Sequence, residues 1–428
     1  MTQLSALDLS DLYKSGIENS HQSKSAKYTA KKNSAIADQV VGLTLPQVSF
    51  NSQIQHAWAS TKSSTESPQM AAFPKPSIRQ RSMDYSWGLH MEQTLNVFRL
   101  GVVVDGAKLQ IQAFKLQSEL SQEQIKIAIA QAYTDVYAAK DQLDLNQKIS
   151  ESNTTLVNSA VINHNTGALS QASFNQIKAN ALVAQAELKS AQNNLATSLE
   201  TLNLLTAQDL QVDDLSNPID EISKLERQSI NKQQNLQIKT QDKFIQYNET
   251  MVSYNQSQHM PNLRLIAGIQ NGFNYYDANP DDRFKAPSEY FDRERFNYYL
   301  GVKMSVPVYM GGSVTAKANE TRLESKIQKE NLNQAKRELE IQTKLLASQL
   351  ITLKLKTEAS LLSLAATKTL YKQALADQQR GEITYSDLLD QERQLKEISF
   401  KLTMSRSEYL LSLINFQFLN GQSLGDGQ

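Results

Sequence analysis

The side chains able to do chemistry in this 428-residue chain are scattered rather than grouped. The chain has no glycine-rich phosphate loop and no serine-centred nucleophile elbow. Its serines and acids are spread along predicted helix faces, where such residues normally serve solvation. The five histidines show no metal-ligand spacing: His21, His56, His90, His164 and His259. We therefore predict no catalytic set, no metal site and no cofactor.

One group of polar residues does have a definite spacing, at a break between two predicted helices. Gly381 ends the first helix, because glycine reaches the left-handed conformation at low steric cost. Thr384 stands at the N-cap of the next helix, and Asp387 follows three residues later, as in an acidic variant of a capping box. Apolar residues from Leu388 onward then recur at helical spacing. This pattern predicts an antiparallel helical hairpin with a tight tip.

The same hairpin pattern occurs once earlier in the chain. Gly167, Ser170 and Ser173 align with Gly381, Thr384 and Asp387. Upstream of each hairpin the chain carries a similar proline-containing segment, Leu45-Pro46-Gln47 in one case and Met260-Pro261-Asn262 in the other. We interpret the chain as two copies of one unit, since repeats of this kind decide architecture. The predicted parts are a first repeat at residues 1–208, a linker at 209–221 and a second repeat at 222–428.

Composition narrows the class of protein. Forty-four basic residues balance 44 acidic ones, which gives no electrostatic case for nucleic acid as a partner. Cysteine is absent, which excludes disulfides, thiolate metal sites and a lipidated N-terminal cysteine. No apolar run approaches the ~20 residues of a membrane helix. The first ten residues lack a signal-peptide pattern, so we expect a mature chain if the protein is exported.

Four segments alternate between apolar and polar residues, which is the pattern of a two-faced strand. They lie at about residues 45–59, 83–98, 262–276 and 296–309. Their length is closer to the ~9–11 residues of a tilted membrane strand than to the ~5–6 residues of a globular one. Strands in lipid must close into a barrel, and four are fewer than the roughly eight that a small barrel needs. The sequence therefore predicts a barrel shared between chains.

With these features the chain resembles the TolC family of outer membrane efflux and secretion channels. The likeness covers nearly the whole chain and rests on the doubled order of helix, strand pair, long helix, glycine tip and return helix. Short patterns are weak alone but specific in this order: Leu45-Pro46-Gln47, Met260-Pro261-Asn262, Val306-Pro307-Val308-Tyr309-Met310-Gly311-Gly312 and Gly381-x-x-Thr384-x-x-Asp387-Leu388-Leu389.

The resemblance implies an α+β membrane protein that works as a homotrimer. Four strands from each chain would form one transmembrane β-barrel in outer membrane lipid of a Gram-negative bacterium. The helical hairpins would form a coiled-coil tunnel through the periplasm, with the linker at 209–221 in a belt around its middle. The implied partners are a periplasmic adaptor (membrane fusion) protein and an inner membrane transporter of the ABC, RND or MFS type.

The resemblance also assigns roles to residues at the two hairpin tips. Asp387 and Asp390 match the aspartate rings of the family's periplasmic gate, where three carboxylates around one axis would bind cations. Gly167, Ser170, Gly381 and Thr384 are the expected adaptor contacts. A plainer interpretation stands beside each role, since Asp387 also suits a helix N-terminus and both glycines suit turns. The residues that brace the tips in other family members are replaced here by Ser173, Gln378 and Ile383. The sequence is therefore compatible with either an open or a closed resting gate.

The first hypothesis is therefore a passive exit duct of a tripartite efflux pump or type I secretion system. These two uses are not separable from this chain, because a duct need not carry substrate specificity. The alternative is a soluble periplasmic helical-hairpin adaptor or structural protein, which the helices alone would permit. Four two-faced strands argue against that alternative, because a soluble protein would expose their apolar faces to water. An enzyme is a distant third hypothesis.

Overall fold

The computed structural model describes residues 7–62, 77–227, 235–277 and 296–425. It is mostly helical with one four-stranded antiparallel sheet, as the coarse α+β prediction requires. The elements in chain order are α1 (Leu9–Asn19), α2 (His21–Gly42), β1 (Gln47–Lys62), β2 (Ser77–Thr94), α3 (Val97–Asn165), α4 (Gln171–Thr206), α5 (Pro218–Arg227), α6 (Leu236–Gln256), β3 (Asn262–Asp277), β4 (Phe296–Ser305), α7 (Ser313–Arg380) and α8 (Tyr385–Leu419).

The chain divides into two compact units, and each takes segments from both halves of the sequence. The helical unit comprises Met1–Asn33, Gln112–Phe244 and Gln328–Gln428. The sheet unit comprises Ser34–Ile111 and Ile245–Ile327. The proposed internal repeat runs along the sequence, whereas these units are spatial, so the division at 1–208, 209–221 and 222–428 stays a prediction.

The N-terminal helical segment is divided in two at Ser20. Its backbone is extended, with φ −63° and ψ 142°, although its N–H still donates to the Gly16 carbonyl. The Ser20 hydroxyl accepts from the Ser23 N–H at 3.2 Å and so caps the following helix. A serine that competes with the helix backbone in this way ends α1 and starts α2, where the sequence pattern suggests one continuous helix.

The strands of the sheet follow chain order, β1-β2-β3-β4, and every neighbouring pair is antiparallel. The register places apolar residues opposite one another on all four strands: Phe50 faces Leu89, Leu89 faces Ile269, and Ile269 faces Tyr298. Because successive side chains point to opposite faces, one face of the sheet is apolar and the other polar. The predicted alternation therefore produces a two-faced sheet.

The second strand ends earlier than the pattern suggests. A strand to about residue 98 is expected from alternation, but β2 ends at Thr94 and α3 begins at Val97. The Asn96 side chain donates to the Pro261 carbonyl at 2.8 Å, and the Leu100 N–H donates to the Asn96 carbonyl at 2.9 Å. Asn96 therefore starts α3 and also holds the chain beside β3. Residues 97 and 98, which the alternation assigns to the strand, are the first residues of the helix.

The helices of the helical unit bury two separate apolar cores. One lies among α1, α3, α4 and α8, and its most deeply buried members are Leu12, Ile129, Tyr133, Val136, Leu202 and Leu410. The other lies nearer the hairpin tips and includes Leu156, Leu364, Tyr371, Ala374, Leu388, Leu395 and Leu402. Among the described residues, no helix combines enough length with enough apolar character to cross a membrane.

Candidate functional site

The tips of the two hairpins have the same backbone geometry. Gly167 and Gly381 both adopt φ +78°, the left-handed conformation that favours glycine. The Ala168 N–H donates to the Asn163 carbonyl at 2.8 Å, and the Glu382 N–H donates to the Asp377 carbonyl at 2.9 Å. These bonds, which join residues five positions apart across each glycine, satisfy carbonyls in the last turn of the helix, as in a Schellman motif. A Cβ at either glycine would meet no atom within 4 Å, so backbone conformation, rather than space, favours glycine at both tips.

The return helices begin at Ser170 and Thr384, the two predicted caps. The Ser170 hydroxyl accepts from the Ser173 N–H at 3.1 Å. At the second tip the Thr384 hydroxyl accepts from the Asp387 N–H at 3.2 Å, and the Asp387 carboxylate accepts from the Thr384 N–H at 3.0 Å. The second tip therefore has the complete reciprocal capping box that the Thr384–Asp387 spacing predicts.

Asp387 and Asp390 are both exposed in the first turns of α8. Hydrogen bonds from the hydroxyl and N–H groups of Thr384 hold the pKa of Asp387 below its ordinary value. The Asp390 carboxylate lies 3.0 Å from the Arg393 guanidinium, in an ion pair whose side chains are mostly exposed. The two carboxylates therefore differ in local role, since Asp387 caps its helix and Asp390 pairs with a cation one turn later.

The three residues at the brace positions serve their own tips. The Ser173 hydroxyl is hydrogen-bonded to the Ser170 hydroxyl at 2.9 Å. The Gln378 carbonyl accepts from the Gly381 N–H at 3.0 Å. Ile383 packs against the apolar core near the tips. Ser173 and the Gln378 backbone thus shape their own turns, whereas Ile383 joins an apolar cluster that also contains Leu156 of the first hairpin.

A polar network that sequence reasoning missed joins the two hairpins below the tips. We call it the inter-hairpin network and define it by Asn153 on α3, Glu187 on α4, and Glu392 and Lys396 on α8. The Lys396 ammonium lies 3.0 Å from Glu392 and 2.7 Å from Glu187. The Asn153 amide donates to the other Glu392 oxygen at 3.1 Å. Glu392 and Lys396 are four residues apart on one helix, so their ion pair can be predicted from the sequence. Their partners on the first hairpin cannot be predicted in this way.

The inter-hairpin network is buried enough for its charges to matter. Glu392 is only 6% exposed, and Asn153 is 2% exposed. Burial acts to lower the pKa of Lys396, but hydrogen bonds to Glu187 and Glu392 outweigh that effect and hold it above its ordinary value. Lysine therefore stays charged at neutral pH and bridges two acids on different hairpins.

Two tyrosines of the second hairpin extend this connection. The Tyr385 hydroxyl donates to the side-chain amide oxygen of Asn153 at 3.3 Å, and the Tyr371 hydroxyl donates to the Ser152 hydroxyl at 3.4 Å. Burial raises the pKa of both phenols, so both remain neutral donors at physiological pH. The result is a set of polar contacts from α7 and α8 to α3 at the apolar core near the tips, which includes Tyr371 and against which Tyr385 packs.

The sheet unit exposes its apolar face to an unusual degree. Leu300 is 77% exposed, Tyr298 74% and Phe50 63%. The opposite face carries charges, with the Arg264 guanidinium 2.6 Å from Glu92 and Lys303 beside Arg264 on the neighbouring strand. Both outer strands, β1 and β4, have one edge without a neighbouring strand in the described sheet. An exposed apolar face of this size needs a cover other than water.

No cluster of metal-ligating side chains is present in the part of the chain that the structure describes. Neither a protein-family model nor a curated protein matches the sequence. Comparison with solved structures instead gives several channels that match over almost the whole chain.

Three of these structures come from named bacteria. The CmeC outer membrane channel of Campylobacter jejuni is 15% identical, with a TM-score of 0.71 over 97% of this chain and 86% of that chain. The outer membrane protein VceC of Vibrio cholerae is 17% identical, with a TM-score of 0.67 over 97% and 96%. The open state of the Neisseria gonorrhoeae MtrE outer membrane channel is 14% identical, with a TM-score of 0.71 over 98% and 90%. At these identities the likeness shows a shared fold.

Proposed function

We propose that this chain, whose fold is that of the TolC-family outer membrane channels, is itself a channel of the Gram-negative outer membrane. Three copies form one barrel in the membrane and a helical tunnel in the periplasm. The assembly is the exit duct of a tripartite efflux pump or a type I secretion system. It conducts substrate passively, with energy supplied by an inner membrane transporter that reaches the duct through a periplasmic adaptor.

The observation that carries this proposal is the two-faced sheet with two free edges. On β4 the apolar positions are Phe296, Tyr298, Leu300, Val302 and Met304, all exposed in the single chain. Ten residues at ~3.3 Å each, tilted by roughly 40°, span about 25 Å, the height of the apolar band of a transmembrane barrel. Lipid is therefore the cover that fits this face.

The free edges supply the reason for a trimer. Backbone N–H and C=O groups in lipid must all be paired, so the β1 edge of one copy pairs with the β4 edge of the next. Three copies of four strands give about twelve strands, which can enclose a water-filled lumen, whereas four strands are too few to do so. The polar face, with Glu92, Arg264 and Lys303, then lines the lumen, where charge is solvated.

The hairpin tips form the periplasmic entrance in this proposal. Asp387 and Asp390 of three copies surround one axis and favour cations. Gly167, Ser170, Gly381 and Thr384 lie at the two turns, where an adaptor protein would make contact. Opening separates the hairpins from their closed packing, a change between two discrete arrangements. The inter-hairpin network opposes that separation within each chain.

Native mass measurement and single-channel recording of the detergent-purified protein test the proposal together. We expect a trimer that inserts into planar bilayers and conducts ions, with a small conductance if the entrance rests closed. A trimer with a large conductance keeps the duct but shows a loosely held entrance. A monomer that extracts without detergent and gives no conductance favours the soluble hairpin adaptor instead.

A further inference from the structure

We propose that three residues on the polar face of the sheet, His90, Gly268 and Tyr299, set the open width of the channel within the membrane. This inference rests on the proposed function, because only a closed barrel turns the polar face into a lumen. We call these residues the flat-tyrosine row. Gly268 and His90 are its positioning residues, and Tyr299 is the side chain that they keep against the sheet.

The register places the three residues directly beside one another on three strands. His90 of β2 faces Gly268 of β3, and Gly268 faces Tyr299 of β4. The Tyr299 hydroxyl is nevertheless hydrogen-bonded to Nδ1 of His90, two strands away. The two rings are 6.0 Å apart between centroids. Tyr299 must therefore lie across Gly268, along the sheet surface, rather than stand away from it.

Gly268 makes this arrangement possible through space rather than through backbone conformation. A Cβ at this position would lie 2.5 Å from Oη of Tyr299 and 2.6 Å from Cζ, closer than real Cβ atoms approach. Gly268 is not among the glycines with positive φ, so no turn demands it. Glycine inside a strand often marks such a close approach of another group.

The flat-tyrosine row lies near the middle of the membrane section. Its neighbouring rows on the apolar face are Ala267 with Leu300, and Ile269 with Tyr298. In a trimer three tyrosines would occupy this level of the lumen. While they lie flat they leave the lumen wide, and when one is lifted it projects a phenol ring toward the axis.

A matched pair of alanine substitutions tests this inference. Gly268→Ala and Gly272→Ala each add one methyl group to the same face of β3. At Gly272 a Cβ would have ordinary contacts of 3.7 Å with Ser86 and the Tyr85 carbonyl. The comparison is made on channels whose periplasmic entrance is open, so that the barrel section limits conductance. We expect roughly two-fold lower single-channel conductance for Gly268→Ala, since conductance follows pore radius, and wild-type conductance for Gly272→Ala.

A second substitution shows whether the tyrosine itself is responsible. Adding Tyr299→Ser to Gly268→Ala removes the displaced ring, so we expect the conductance to return to the wild-type value. Tyr299→Ser alone should leave conductance nearly unchanged, because the flat ring does not obstruct the lumen. Equal conductance in the two alanine variants, or no recovery in the double variant, overturns the inference.

A local measurement separates this inference from the proposed function. In histidine-labelled protein the ring nitrogen signals of His90, identified with a His90→Gln variant, should shift in Gly268→Ala and not in Gly272→Ala. Wild-type protein that never conducts rejects the proposed function whatever the His90 signal does. Wild-type protein that conducts, with a His90 signal that moves but a conductance that does not, rejects only the role of the row in setting lumen width.

Discussion

At the scale of single residues, Asp387 shows why a capping carboxylate and a gate carboxylate are hard to tell apart. Its side chain completes a capping box with Thr384 and is also exposed at the tip. The capping bonds lower its pKa, so it stays ionised through neutral and mildly acidic pH. A carboxylate held in this way is available to a passing cation while it stabilises its own helix.

Removal of the tip charges tests the gate role. We expect Asp387→Asn with Asp390→Asn to reduce cation preference of the channel, because six carboxylates would leave the entrance of a trimer. The measurement is the reversal potential across a salt gradient in planar bilayers. Ser173→Ala, at the position of the first hairpin that aligns with Asp387, is the control and should leave selectivity unchanged. Unaltered selectivity in the double variant would leave Asp387 with the capping role alone.

The capping role has its own pH dependence. Because the folded pKa of Asp387 is lowered, its contribution to stability is present above the ordinary pKa of 3.8 and is lost as pH falls through the folded value. We expect Asp387→Ala to lower the melting temperature at pH 7 and to have little effect at the acid end of the folded range. A melting temperature difference that is constant with pH would contradict this assignment.

At the scale of elements, the inter-hairpin network is the connection with the greatest consequence. Lys396→Met would leave Glu392 buried without its cation, which costs several kcal/mol for a fully buried pair and roughly 2 kcal/mol here, since Lys396 is 30% exposed. We expect a lower melting temperature and a larger, more variable single-channel conductance. Both effects follow from weaker attachment of α8 to α3 and α4.

A matched control for this change lies on the same helix. Lys401 pairs with Glu397 at 2.6 Å with the same four-residue spacing, but both side chains are more than half exposed. Lys401→Met should leave the melting temperature nearly unchanged, because an exposed ion pair is screened by solvent. If the two methionine variants behave alike, the network does not hold the hairpins together.

An added charge should have opposite effects on the two faces of the sheet. Leu300→Arg places a charge on the apolar face of β4, which costs about 2–4 kcal/mol in the middle of a membrane barrel. Asn297→Arg places the same charge on the polar face of the same strand. We expect the first variant to be lost from outer membrane fractions and the second to insert normally. Equal insertion of both would contradict a lipid-facing role for the apolar face.

At the scale of the whole molecule, the two free sheet edges predict how copies associate. The chain has no cysteine, so introduced thiols are the only ones present. Asn51→Cys on β1 and Asn297→Cys on β4 both lie on the polar face, and a short thiol cross-linker should join them between copies. We expect a covalent trimer on a denaturing gel, whereas each single cysteine can give at most dimers. A chain that forms only internal cross-links would contradict edge pairing.

Much of the local structure was predictable from particular residues. Gly381 and Thr384 specified the tip because few residues reach positive φ and few cap a helix. Alternation specified the two faces of the strands because the side-chain period of a strand is two. The end of β2 was harder, since Asn96 starts a helix through a bond to Pro261 that lies far along the chain.

The sequence by itself determined the hairpins, their caps, the two-faced strands and the need for a covering surface, because each depends on neighbouring residues and backbone periodicity. Only the tertiary structure brought Asn153 and Glu187 to Glu392 and Lys396, and laid Tyr299 across Gly268 against His90. Those contacts, between residues on different elements, join positions from 31 to 239 apart. Their partners depend on strand register and hairpin packing, which no local pattern of residues records.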